Sequence, residues 1–167
     1  MGVAADIVRS LRHGPRAVMR EQLALGANEP RALALLMLGC MLVFVAQWPR
    51  LMREAQLTGD DFTRLVAYAL LGWLAIWPLV FYGLAGVMHA ISRALGGQGT
   101  PFGARLAMFW SWLAVSPLAL LTGLLAGFTG GSVLTNLSGI LWIAVFILFW
   151  WQAQREASRS PGGVHAA

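Results

Sequence analysis

The chain has 167 residues, of which 58% are hydrophobic and 11% charged, and its twelve basic residues are all arginine, giving a formal net charge of +5. That balance excludes an ordinary water-soluble domain, which could not cover so much apolar surface. It also argues against a nucleic-acid-binding module, since no soluble basic face with interleaved aromatics is present.

Residues 1–30 form a basic arm. Arg9, Arg12, Arg16 and Arg20 recur at helical spacing, with Ile7, Leu11, Val18 and Leu25 on the opposite face. Gly14-Pro15 interrupts the pattern and predicts two short helices, Pro15 opening the second and Gly26 ending it. The arginines make such an arm a candidate for the membrane surface, drawn to anionic lipid head groups. The plainer alternative is a solvated arm whose charges only enforce orientation. Met1-Gly2 is followed by Asp6 where a myristoylation signal needs Ser or Thr. No small-residue cleavage site follows the first apolar block, so that block is expected to act as an uncleaved anchor.

Three uncharged blocks then follow: 18 residues between Arg31 and Arg50, 28 between Arg64 and Arg93, and 49 between Arg105 and Arg155. A bilayer core takes about 20 apolar residues per helix. The blocks therefore predict one, one and two spans, over roughly 32–48, 65–88, 104–128 and 133–151. Gly130-Gly131-Ser132, with Asn136 after it, divides the last block. Re-entrant packing within 106–154 is the alternative there. Continuous apolar runs favour helices over barrel strands, which would alternate. The expected fold class is all-α: a polytopic helical membrane bundle over 31–152, preceded by the amphipathic arm and followed by a short tail, 153–167. With the N-terminus inside, nine arginines fall on the cytoplasmic side and three outside, which favours four spans with both ends in the cytoplasm.

Within the spans, Trp73-Leu74-Ala75 with Pro78 and Trp112-Leu113-Ala114 with Pro117 repeat a short pattern. Each proline removes a backbone hydrogen bond, so each span is expected to kink or unwind locally. Paired interrupted spans can mark a transport site, although kinks that serve packing explain them as well. Gly123, Gly127 and Gly131 form a small-residue seam for close helix approach, within the chain or between copies. Trp48-Pro49-Arg50 and Phe149-Trp150-Trp151 read as interfacial anchors. Cys40 is the single cysteine and has no partner for an internal disulfide.

Apart from Arg105 at the edge of the third, no Asp, Glu, Lys or Arg lies inside a predicted span, which argues against a proton-coupled pump or charge-selective channel. His13, His89 and His165 are scattered and do not stand at metal-ligand spacing. No acid-base pair or nucleophile can be assembled. The expectation is thus a non-enzymatic protein with no cofactor and no metal. Gly96-Gly97-Gln98-Gly99-Thr100 could offer backbone amides to a phosphate, but it lacks the ending of a P-loop, and a flexible turn is the plainer assignment.

The stretch His89, Arg93, Leu95-Gly96-Gly97-Gln98-Gly99-Thr100, Phe102, Arg105 and Pro117 resembles bacterial members of the Yip family, small polytopic membrane proteins carrying a Yip-one domain. Pro15-Arg16 and Gln47-Trp48-Pro49-Arg50 are similar to members from proteobacteria. The resemblance implies a helical bundle in the inner membrane, with His89, Gly96, Gly97, Gly99 and Thr100 as family markers of no assigned chemistry. Eukaryotic relatives are linked to Rab-type GTPases. This arm lacks their acidic-aromatic motif, so that role does not carry over. The expected function is to organise or stabilise other membrane components, with membrane lipids, other membrane proteins or a second copy as partners. The alternative is a small transporter or permeation protein for a neutral or lipidic substrate, working at the Pro78 and Pro117 kinks.

Overall fold

The computed structural model describes residues 2–159. Met1 and the end of the tail, 160–167 with His165, lie outside the described residues. Seven α-helices account for nearly all of the described chain: α1 Val3–His13, α2 Arg16–Ala24, α3 Glu29–Thr58, α4 Phe62–Leu71, α5 Trp77–Ala94, α6 Pro101–Thr129 and α7 Val133–Arg159. A π-helical turn, Gly72–Ile76, joins α4 to α5. Four helical stretches, Glu29–Thr58, Phe62–Ala94, Pro101–Thr129 and Val133–Ser158, are long and apolar enough to cross a bilayer. This is the all-α, four-span membrane bundle that the uncharged blocks predict, and the 49-residue block forms two full helices.

The helices overrun the predicted spans at their ends, and local chemistry fixes where they stop. Asn28 caps α3, its side chain accepting the Arg31 N–H at 3.0 Å with Pro30 in the first turn. Gly59, at φ +73°, ends the same helix in the left-handed region that favours glycine. Pro49 is carried inside α3, so the helix runs on for two turns past the anchor Trp48-Pro49-Arg50. Asp61 caps α4 through the Thr63 N–H at 2.9 Å. Thr100 caps α6 through the Gly103 N–H at 3.0 Å, with Pro101 at its first position.

The most buried element is α6, packed against α3, α5 and α7 and touched by the arm. Its contacts give the directions. Glu29, Gly39, Ala46 and Pro49 of α3 meet Arg105, Trp112, Gly123 and Gly127 in the same order, so α3 and α6 are parallel. Tyr82 and Trp73 meet Phe109 and Trp112 in reverse order, as do Ala157 and Trp142 with Gly103 and Trp112. The α4–α5 span and α7 are therefore antiparallel to α6. An up-down-up-down path brings the arm and the end of α7 to one end of the bundle.

Candidate functional site

Much of the predicted functional material meets at that end. Gly14 separates α1 from α2 with φ +85°, and Pro15 precedes the first residue of α2, as the sequence pattern predicts. Gly26, at φ +80°, follows the end of α2. The arm does not stand off in solvent. Val18 and Met19 are buried in the core, and Ser10 of α1 is fully buried, accepting the indole N–H of Trp110 on α6 at 3.2 Å. On a helical wheel Asp6 and Ser10, both buried, lie at the border between the polar and apolar faces of α1. The apolar face therefore points sideways, where Val3, Val8 and Leu11 are exposed, and the polar face carries exposed Arg12 and His13.

The four arginines of the arm are not equivalent. Arg9 donates to Asp6 and to Glu21, linking α1 to α2. The Glu21 hydrogen bond is the main cause that raises the Arg9 pKa above its ordinary value, against a smaller opposing effect of desolvation. Arg20 pairs with Glu156 of α7 at 3.0 Å. Arg12 and Arg16 are exposed and make no ion pair or hydrogen bond among the described residues. Of the four, these two have guanidinium groups with no partner among the described residues.

The glycine loop is packed. Gly99 is buried, and a β-carbon on it would stand 2.8 Å from the carbonyl oxygen of Ala157. One on Gly97 would stand 2.9 Å from the Ser92 carbonyl oxygen. Ser92 and Ser158 share a hydrogen bond at 3.3 Å. Gly96 takes φ +83° in the turn after α5. Gly99 lets the α5–α6 connection press against the end of α7, Gly97 lets it fold back on α5, and Thr100 serves as a helix cap, so the loop is a tight structural joint rather than a loose link. His89, one and a half turns before the end of α5, is partly exposed and makes no hydrogen bond or ion pair among the described residues. No three His, Cys, Asp or Glu side chains gather among the described residues.

The two prolines behave differently. The π-helical turn ends two residues before Pro78 and contains Leu74, whose carbonyl the proline ring would otherwise crowd. At Pro117 the helix stays α, and the freed Leu113 carbonyl accepts the Ser116 hydroxyl at 2.8 Å. Of the glycine seam, Gly123 and Gly127 lie against Ala46 and Pro49 of α3, too close for any β-carbon, while Gly131 sits in open space in the α6–α7 turn. The seam packs α3 on α6, and Gly131 is not part of it.

Two features escaped the sequence reading. Trp73 and Trp77 stack at 5.1 Å, Trp73 continues onto Trp112 at 6.0 Å, and Phe81, Trp142 and Phe146 surround Trp112 at 4.6–5.5 Å. Steps of four, Trp73-Trp77-Phe81 and Trp142-Phe146-Trp150, were the signal for an aromatic cluster between helices. The second feature is a groove of about 510 Å³ at the end of the bundle away from the arm, floored by α6 between α3 and α7. Gln47, Thr122 and Asn136, polar residues inside otherwise apolar blocks, were its trace in the sequence.

No family model matches the chain, and no curated protein or solved structure is detectably similar to it.

Proposed function

We propose that this is a multi-pass protein of the bacterial inner membrane, Yip-like in type, with both ends in the cytoplasm, that organises or stabilises other membrane components without catalysing a reaction. The observation that carries this reading is the docked arm. α1 lies against α6 with Val3, Val8 and Leu11 outward beside the lipid-facing helices, while Arg12 and Arg16 remain exposed. An in-plane helix at the cytoplasmic leaflet takes this form, apolar side to the acyl boundary and cations to the head groups. Nine of the twelve arginines fall on the arm's end of the bundle, which supports a cytoplasmic position for that end. The packed Gly96–Thr100 joint and the end of α7 complete a rigid surface there, suited to a protein or lipid partner.

Co-purification in native lipid nanodiscs, with mass spectrometry of retained proteins and lipids, tests the reading. A stoichiometric protein partner lost on deletion of residues 2–25 is the expected result. A monomer with no protein or lipid enriched overturns it. The π-helical turn before Pro78 favours a second reading, transport of a neutral or lipidic substrate past the kinks. On that reading Pro78→Ala and Pro117→Ala reduce flux more than they reduce expression, and equal loss of both assigns the prolines to packing.

A further inference from the structure

We infer that the groove at the far end of the bundle is a binding site for an anionic phospholipid of the leaflet opposite the chain ends. The inference is independent of what the arm recruits and of which compartment that leaflet faces.

Small residues on three helices create the space. Ala119, Gly123 and Ala126 of α6 form the floor, Ala46 stands on the α3 wall and Gly139 on the α7 wall. At about 510 Å³ the groove falls within the range of ordinary ligand sites, about 300–1,000 Å³. It opens sideways along the bundle, so its occupant comes from the bilayer.

Polarity is graded along its length. The deep end, toward mid-bundle, is closed by Trp142 and Ile143, with Trp142 backed by Trp112 of the aromatic cluster at 5.4 Å. The outer end is lined by Gln47, Arg50, Thr135 and Asn136. The distance between the ends, Thr135 to Ile143 along α7, is roughly 12 Å. An amphiphile with its head outward and a chain running toward the bilayer centre matches this gradient.

Charge selects the head. Arg50 is the one ionised side chain among the lining residues. Its ion pair with Glu54 is at 4.0 Å, the outer limit for such a contact, and its side chain is 58% exposed. The side-chain amides of Gln47 and Asn136 make no hydrogen bond among the described residues. A guanidinium and two amides with free donors, gathered at head-group depth, suit the phosphate and a second anionic or hydroxyl group of an acidic lipid. A second copy of this chain would bring another apolar helix, which would leave those donors without acceptors.

The test uses the full-length protein in detergent, exposed to phosphatidylglycerol or phosphatidylcholine and examined by native mass spectrometry. One phosphatidylglycerol per chain is expected to survive in preference to phosphatidylcholine. Arg50→Gln should reduce that retention roughly three- to tenfold, while Arg64→Gln, at the same end but outside the groove, should leave it unchanged. Gly139→Leu should block retention by filling the groove, since a β-carbon there meets nothing nearer than Thr122 at 3.9 Å. Equal retention of the two lipids, equal loss in Arg64→Gln, or a dimer that Gly139→Leu dissociates would each overturn the proposal. Should Gly139→Leu fail to fold, the contrast of Arg50→Gln with Arg64→Gln decides alone.

Discussion

From Phe102 to Ser116 every residue of α6 except Arg105 is buried, and Phe109, Trp110 and Leu113 are among the largest fully buried side chains in the protein. From Pro117 to Thr129 only Ala119 and Gly123 are buried, and the closest approaches are made by glycines against the backbone of α3. One helix is thus held by bulk near the chain ends and by the absence of bulk far from them. Lipid supplies no hydrophobic drive for helices to associate, so both arrangements depend on shape. Bulk on all sides needs a further element to cover it, and the arm provides one. Close backbone contact on the α3 side keeps α6 narrow, and the space left toward α7 becomes the groove.

The difference can be broken most severely at Trp110. Trp110→Ala removes a fully buried ring and its bond to Ser10, and is expected to cost about 3–5 kcal/mol. Reversible unfolding in detergent measures it, and proteolysis should show the arm released at the same time. A loss below that of Gly123→Ala would mean that bulk does not dominate the inner half. Gly123→Ala is the matching change in the outer half. Its β-carbon would collide with the Ala46 carbonyl, a backbone atom unable to rotate away, so α3 and α6 must separate, at about 2–3 kcal/mol. A shorter step sharpens the inner half. Ser10→Ala strands the Trp110 N–H in a buried site and should cost about 1–2 kcal/mol. Raised protease sensitivity confined to residues before Asn28, with unchanged expression, is the accompanying sign.

The spans were legible because a bilayer demands unbroken apolar length, and Arg31, Arg50, Arg64, Arg93, Arg105 and Arg155 bracket that length in plain view. The arm's two helices were legible from Gly14-Pro15, since glycine readily ends a helix at positive φ and proline, lacking an N–H, is best placed where one begins. Local unwinding at Pro78 followed from the same chemistry. Which partner each face meets was not legible. Gln47 and Asn136 are distant in sequence, and only the parallel pairing of α3 with α6 and the return of α7 bring them to one groove. Ser10 reads as an ordinary polar residue of an amphipathic helix until Trp110 is placed against it. Arg9, Arg12, Arg16 and Arg20 looked alike at helical spacing, yet Glu21 and Glu156 engage two of them. The loop glycines stood out, but the purpose of Gly99 depends on Ala157, nearly sixty residues away.

Gly139 provides the finest comparison, because spacing alone does not distinguish it from Gly123. Both lie in mid-helix and both border the same groove. A β-carbon on Gly139 would find only the Thr122 methyl, at 3.9 Å, an ordinary contact. Replacing a helical glycine with alanine also reduces the conformational freedom of the unfolded chain. Gly139→Ala should therefore leave unfolding unchanged or stabilise it by about 0.5 kcal/mol, the smallest effect in the series and opposite in sign to Gly123→Ala. A loss of stability approaching that of Gly123→Ala would mean that α7 closes on α6 where the structure holds them apart. The groove would then have no room for a lipid, and the contrast between the two halves of α6 would shrink to the α3 side alone.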